Sequence, residues 1–444
     1  MLRLGAVLCL LLVLLPVPDA SAGWRSRSEK ELTAEADAFV KNKPEALQPF
    51  FHTLYMEGEW NAVLNFNLLA LAALEVNRPD IAEIALDEST ARIQAVFSSD
   101  PKAQIARQQW ITLDPRDFRG EPYERAMAFL YRGLLYLHSG DADAASAAFQ
   151  QAAQQSILGE GENYDPSFSL PVYLAAWVSN CQGDEARSAE LMASVQKGAV
   201  DPFFQNLPAA MPRHITLIDR GLGPRKVITG ESRTTLRFLP RADINGPVQI
   251  HYTKPPVEVP VRAVAANLDW LALTRGGRRV QGIVDGKAQF AQMPADGALP
   301  DAAFYASLST LGSDNAAIAR SLGLSGNRSS LLGAAASANP RAGKTEADTR
   351  SWGSLPKLLY IEVFAGDFGL EIGDFSTLAT RKPRPMLLGA KIKDQCSLAY
   401  GREYSALDPT QGGVGNPSPW PASPLEDDRD KVNEELRKKL RSKF

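Results

Sequence analysis

The chain has 444 residues, 45% of them hydrophobic and 22% charged, with a net charge of −3 at pH 7. That length allows two or three domains with cores of their own, and the near-neutral charge offers no footprint for nucleic acid or an anionic membrane. Three cysteines and four scattered histidines (His52, His138, His214, His251) make no zinc pattern of recognised spacing, so neither a metal nor a cofactor is expected.

Residues 1–22 read as a secretory signal peptide. Arg3 precedes an apolar stretch from Gly5 to Val17, and Ala20-Ser21-Ala22 offers small residues at the cleavage positions. The stretch is shorter than the roughly 20 residues a membrane span needs, and Pro16 and Pro18 close it. The sequence before Cys9 is a poor lipobox, so a lipid anchor is not expected. The product reads as a periplasmic or otherwise exported protein without a transmembrane span. Cys181 and Cys396 remain after cleavage, and they are expected either to form one disulfide or to stand as two buried thiols.

From 23 to 200 the pattern is helical. Leu32, Ala36, Phe39 and Val40 mark one amphipathic helix, and runs from Glu59 to Asn77 and from Ile81 to Phe97 form a degenerate helical pair. The clearest unit is Glu121 to Ile157. Counted from Ala126 on a tetratricopeptide unit of about 34 residues, Gly133 and Ala145 fall on the small positions. Tyr136, Phe149 and Ala152 take the remaining typed positions, and Ser139-Gly140-Asp141 makes the turn. Gly183-Asp184 repeats that turn between two further runs, Leu170 to Asn180 and Glu185 to Lys197. The spacing is irregular, which predicts a compact helical domain rather than a regular array. Glu121, Glu124 and Arg125 read as surface pairs leading into the central unit.

After Val200-Asp201-Pro202 the period shifts towards 2. Residues 201–400 predict a β-rich domain. Strands are expected at His214–Ile218, with a turn from Asp219 to Gly223, at Thr234–Leu239, Val248–Tyr252, Val257–Val264, Leu268–Leu273, Val280–Val284 and Leu358–Phe364, with weaker ones near 369–372, 386–388 and 391–393. Pro260 marks the Val257 run as an edge strand. Leu299–Leu311 and Asn315–Leu322 look helical. The Gly, Ala, Ser and Asn content of 323–346 predicts a flexible loop, 401–424 a Pro/Gly linker, and 425–444 an amphipathic helix that docks on its own chain or binds in trans. The fold class is therefore α+β: a tetratricopeptide-like helical domain, a mostly antiparallel β domain, a linker and a C-terminal helix.

No catalytic motif emerges. Gly343-Lys344-Thr345 lacks the earlier glycine of a phosphate loop, where Ala338 stands, and Gly-x-Ser-x-Gly does not occur. The chain resembles a family of uncharacterised bacterial envelope proteins, many of them lipoproteins, that join tetratricopeptide-like helices to a C-terminal β region. The resemblance is carried by Phe118-Arg-Gly-Glu-Pro-Tyr-Glu-Arg125, by Gly133, Tyr136, Gly140-Asp141 and Ala145, by His214 to Lys226, and by Ala347-Asp-Thr-Arg-Ser-Trp352 with Leu355-Pro356. It implies an envelope role, such as one beside curli-secretion-like or penicillin-binding-protein-activator lipoproteins, without an established activity. Two readings follow. In the first, the chain is a non-enzymatic scaffold or adaptor whose repeat groove, lined by Met127, Leu130, Leu134 and His138, holds an envelope protein such as an outer-membrane lipoprotein or a secretion component. The alternative is a cell-wall-active hydrolase with its site where helices meet β domain, around Asp348, Arg350 and Trp352.

Overall fold

The computed structural model describes residues 28–97, 117–158, 167–208, 210–229, 235–241, 246–254, 256–275, 278–284, 287–293, 345–347, 349–365, 371–378, 380, 382–393, 395–407 and 427–444. The signal peptide, Asp348, the helices expected between 299 and 322, residues 323–344 of the loop and residues 408–424 of the linker lie outside the described residues.

The first half is helical: α1 (Glu29–Val40), α2 (Gln48–Glu57), α3 (Ala62–Glu75), α4 (Pro79–Phe97), α5 (Pro122–His138), α6 (Ala142–Ile157), α7 (Ser169–Gln182), α8 (Glu185–Lys197) and the single turn α9 (Pro202–Gln205). Local chemistry sets several of the ends. Ser28 and Glu31 form a reciprocal capping box on α1. Asp141 and Asp184 cap α6 and α8 by accepting from Ala144 N and Arg187 N, each at 3.0 Å. Gly140 and Gly183 precede them with φ of +85° and +89°, where a side chain would strain the turn. The hairpin α5–α6 closes tightly because Gly133 has no Cβ: one placed there would meet the Phe149 ring at 2.4 Å.

The second half contains fourteen described strands. They are β1 (His214–Arg220), β2 (Arg225–Thr229), β3 (Thr235–Leu239), β4 (Val248–Lys254), β5 (Pro256–Val261), β6 (Val264–Asn267), β7 (Arg278–Val284), β8 (Lys287–Met293), β9 (Thr345–Ala347), β10 (Leu358–Phe364), β11 (Glu371–Ser376), β12 (Arg384–Pro385), β13 (Leu388–Ile392) and β14 (Cys396–Arg402). A five-stranded sheet runs β13-β14-β1-β10-β6, with β1 and β14 parallel and its other pairs antiparallel. An antiparallel sheet runs β12-β11-β4-β5, and smaller sheets pair β2 with β3 and β8-β7-β9.

These elements stack as three layers. Ile215 and Leu217 of β1, Leu359 and Ile361 of β10, and Leu398 and Tyr400 of β14 share one core with the helices. The alternate residues Ile218 and Tyr360 point the other way, into a second cluster with Val248, Ile250 and Phe375 of the antiparallel sheet. The period-2 alternation thus serves both faces of the central sheet. Gly401 lets the outer sheet approach, since a Cβ there would meet the Phe375 ring at 2.6 Å. The helical and β halves share a continuous hydrophobic core.

Two expectations are corrected. Leu268–Leu273 forms the helix α10 (Leu268–Arg275), not a strand. Asn267 caps it through Oδ1, and Leu268, Leu271 and Ala272, at helical spacing, carry the burial. Residues 345 and 346, assigned to the flexible loop, belong to β9, which pairs with β7.

The C-terminal helix α11 (Asp427–Lys443) lies on α2 and the turn that follows it. Leu436 and Leu440 are buried, Arg437 donates to Tyr55 O, and the Phe444 ring sits 5.0 Å from Phe51. Asn433 Oδ1 accepts from Glu59 N at 2.9 Å, an approach that requires Gly58, whose absent Cβ would stand 2.3 Å from that oxygen. Lys443 pairs with Glu88 at 2.5 Å. Burial works to raise the Glu88 pKa, but hydrogen bonds from Lys443 and Arg92 outweigh it and hold the carboxyl at about 2.

Cys181 of α7 and Cys396 of β14 are joined by a disulfide that spans 215 residues of sequence. A closure of that length removes much entropy from the unfolded chain. Replacing both cysteines by serine is expected to lower the unfolding free energy by about 2–5 kcal/mol. The drop is read from the urea midpoint, with an unchanged far-ultraviolet circular dichroism spectrum.

Candidate functional site

The seam between α5 and the five-stranded sheet concentrates the buried charge. β1 and β14 run parallel, and their register sets Asp219 directly beside Arg402 on the face that meets the helices. Arg402 Nη1 donates to Asp219 Oδ2 at 2.8 Å, and the same oxygen accepts from the hydroxyls of Tyr131 (2.6 Å) and Tyr400 (2.8 Å). Arg402 also donates to Ser354 O at 2.6 Å and lies 3.8 Å from Glu75 of α3. Burial raises the Asp219 pKa above its ordinary value, and Arg402 with the two tyrosines offsets only part of the rise. Burial likewise holds the pKa of both tyrosines well above 10, reinforced by the Asp219 charge, so each hydroxyl stays a donor.

Next to this group, the N-terminus of α5 is closed by an unusual capping box in which Glu121 is the cap and Glu124 its partner. Glu124 Oε2 accepts from Glu121 N at 2.7 Å, and its Oε1 accepts from Trp352 N at 2.6 Å. Lys226 of β2 pairs with Glu121 at 2.6 Å. Arg350 reaches Trp60 O and Asn61 Oδ1 at 3.1 and 3.0 Å, with its guanidinium over the Trp60 ring. The Trp352 ring meets Tyr131 edge-on at 5.8 Å, which joins this group to the Asp219–Arg402 pair. Burial pushes the Glu124 carboxyl up to about 7, with Lys226 opposing and Glu121 reinforcing the rise.

Three blocks distant in sequence therefore converge here: 118–125, 214–226 and 350–356. Gly223 N donates to Leu355 O at 2.8 Å, and a Cβ on Gly223 would stand 3.0 Å from Pro356 O, so the second block seats on the third at a glycine. Glu121, Glu124 and Arg125 are buried, not surface pairs. The cause is that α5 begins beneath the Arg350–Trp352 segment, where these side chains meet Lys226, Trp352 N, Gln155 and Gly120 O.

The expected groove does not exist at the residues assigned to it. Met127 and Leu130 are 0% exposed and Leu134 is 1% exposed, because the chain's own sheet covers that face of α5. His138 is exposed at the end of the helix, with Nδ1 2.8 Å from Gly389 O of the edge strand β13. Arg350 and Trp352 are 3% and 2% exposed, and their polar atoms are committed inside the seam, so neither is open to a substrate. Asp348 is outside the described residues. Among the described residues no group of three or more His, Cys, Asp or Glu could hold a metal, and no helix is long and apolar enough to cross a membrane. Asp219 reads in sequence as a turn residue and Arg402 as the start of a linker. Their pairing follows from the parallel register, which nothing local announces.

Comparison with family models, with curated proteins and with solved structures returned no match.

Breaking one side of the buried pair leaves the other charge uncompensated. Arg402→Met is expected to destabilise the protein by about 3–5 kcal/mol, and Asp219→Asn with Arg402→Met by less than the sum of the single changes. Equilibrium unfolding of the three variants measures the coupling. The Glu124 carboxyl, raised from 4.5 to about 7 on folding, binds its proton more tightly in the folded state. Its contribution is present below about pH 4.5 and is lost as the pH rises through about 7. The stability of Glu124→Gln should therefore fall less between pH 5 and 8 than that of the unaltered chain, a slope that unfolding at each pH gives directly.

Proposed function

We propose that the chain is a scaffold of the bacterial cell envelope that binds a protein partner after export. The Cys181–Cys396 disulfide supports an oxidising compartment, as does the leader-like composition of residues 1–22. The observation that carries the binding reading is an open depression of about 430 Å³ at the seam. It lies where the turn of the α5–α6 hairpin, Ser139 to Ala142, faces the end of β13. Asp141 and Asp143 line one side and Lys391 and Lys393 the other. Gln182 bridges them, donating to Asp143 at 2.7 Å and accepting at its carbonyl from Lys393 at 2.8 Å. Two acids facing two lysines, with the hairpin turn between them, suit a polar partner segment that carries both charges. This moves the contact from the buried face of α5 to the end of its hairpin.

Affinity capture from envelope extract tests the reading. The unaltered chain is expected to retain a discrete partner that the Asp143→Lys, Lys391→Glu variant loses by tenfold or more, while the thermal midpoints agree within about 2 °C. Retention of the same proteins by both forms removes the depression from the proposal.

A further inference from the structure

The outer sheet turns Val248, Ile250 and Phe375 inward, so its alternate residues face away from the core. On that outward face His251 of β4 stands directly opposite Glu258 of β5 and Asp374 of β11. One position along β11 on the same face, Ser376 Oγ lies 2.9 Å from His251 Nε2, and Glu258 Oε1 lies 3.3 Å from His251 Nδ1. An ionised carboxylate only accepts, so the proton of a neutral imidazole belongs on Nδ1, and Nε2 is left to accept from the serine hydroxyl. Hydroxyl to Nε2 and Nδ1 to carboxylate is the polarity a nucleophilic serine requires, with the base oriented by a third group.

We propose that Ser376 is a nucleophilic serine that accepts an acyl group from an activated ester, with His251 as its general base and Glu258 as the positioning residue. Ser376 Oγ forms a bond to the ester carbonyl carbon as its proton passes to His251 Nε2. The bond to the alcohol oxygen then breaks, and the alcohol departs with that proton. Water attacks the acyl-serine by the same route, its proton passing through His251 to Oγ, so the net reaction is ester plus water to carboxylic acid plus alcohol. The setting limits the substrate class. β4 is paired on both sides, so its N–H groups serve the ladder and are not free to hold an oxyanion. The Glu258 side chain is 69% exposed, and the row lies open on a sheet face rather than in a cleft. A good leaving group, as in an aryl ester, meets those conditions, and an amide does not.

The chain supplies its own comparison. Ser397 Oγ lies 2.6 Å from His214, but on Nδ1, the nitrogen that the carboxylate holds in the first group. The full chain is treated with a fluorophosphonate, in which Oγ displaces fluoride from phosphorus, and the modified residue is mapped by tandem mass spectrometry. Ser376 is expected to be labelled and Ser397 not. His251→Gln should slow labelling by about a hundredfold and Glu258→Gln by severalfold, with Glu258→Asp restoring part of the rate. All three changes lie on the outward face, so the thermal midpoint should hold and serves as the check on folding. An unmodified Ser376, or a His251→Gln chain labelled at the unaltered rate, overturns the proposal.

Discussion

Asp219 and Arg402 sit where the helices meet the two parallel strands inside the five-stranded sheet. Each is almost fully removed from water, and an ion of that kind without a partner costs several kcal/mol. Every neighbouring element therefore has to arrive in place: α5 to bring Tyr131, β14 to bring Tyr400, α3 to bring Glu75. A buried pair of this kind adds little net stability over an apolar replacement, but it discriminates between arrangements. A slip of one residue in β14 against β1 would turn both Arg402 and Tyr400 to the opposite face and leave Asp219 with Tyr131 alone and no cation. The parallel pairing, which brings together residues 183 apart in sequence, is selected in part by that penalty.

The surrounding interactions extend the same logic. Arg220, on the other face of β1, pairs with Glu403 at 3.2 Å, while Gly221 N donates to the second oxygen of that carboxylate. Lys357 closes on Asp269 of α10. These pairs tie elements of the β half to one another, while Lys226–Glu121 and Arg402–Glu75 tie that half to the helices. The shared apolar core and the Cys181–Cys396 bond act at the same boundary. The helices alone would expose the apolar face of α5, and the sheet alone would leave Asp219 without Tyr131 and Arg402 without Glu75.

What was legible in the sequence follows from range. Helix hairpins announce themselves locally, through Gly140-Asp141, Gly183-Asp184 and the small residues facing Phe149, and these appear in the structure as read. Strands with clean alternation, such as Leu358–Phe364, are equally plain. Leu268–Leu273 fits either period because it is six apolar-rich residues, and the deciding signals are the cap at Asn267 and the burial of Leu268, Leu271 and Ala272. The misplaced groove has a different origin. A repeat pattern marks which residues pack, not what they pack against, so Met127, Leu130 and Leu134 looked identical whether a partner or the chain's own sheet covered them. Glu121 and Glu124 read as surface acids for the same reason: their partners Lys226 and Trp352 lie one hundred and more residues away. Ser376, His251 and Glu258 carry no motif, since only the β5-β4-β11 order makes them neighbours.

On the proposed reading, the surfaces that the described residues already cover narrow where a partner would bind. The inner face of the repeat is occupied by the sheet, and the flank formed by α2 is covered by α11. The edge strand β5 carries Pro256 and Pro260 at alternate positions, both paired to β4 without a donor of their own, so the outward side of that strand offers few N–H groups to an added strand. Strand addition there is disfavoured, and recognition has to come from side chains. The depression at the hairpin turn and the outward face of the antiparallel sheet meet that condition in different ways. The first presents charges of both signs around a concave surface, which suits binding. The second presents a hydroxyl, an imidazole and a carboxylate in line on rigid paired strands, which suits chemistry. Neither depends on the buried seam except through its geometry, so substitutions in the two surfaces can separate their roles without loosening the pair that holds the halves together.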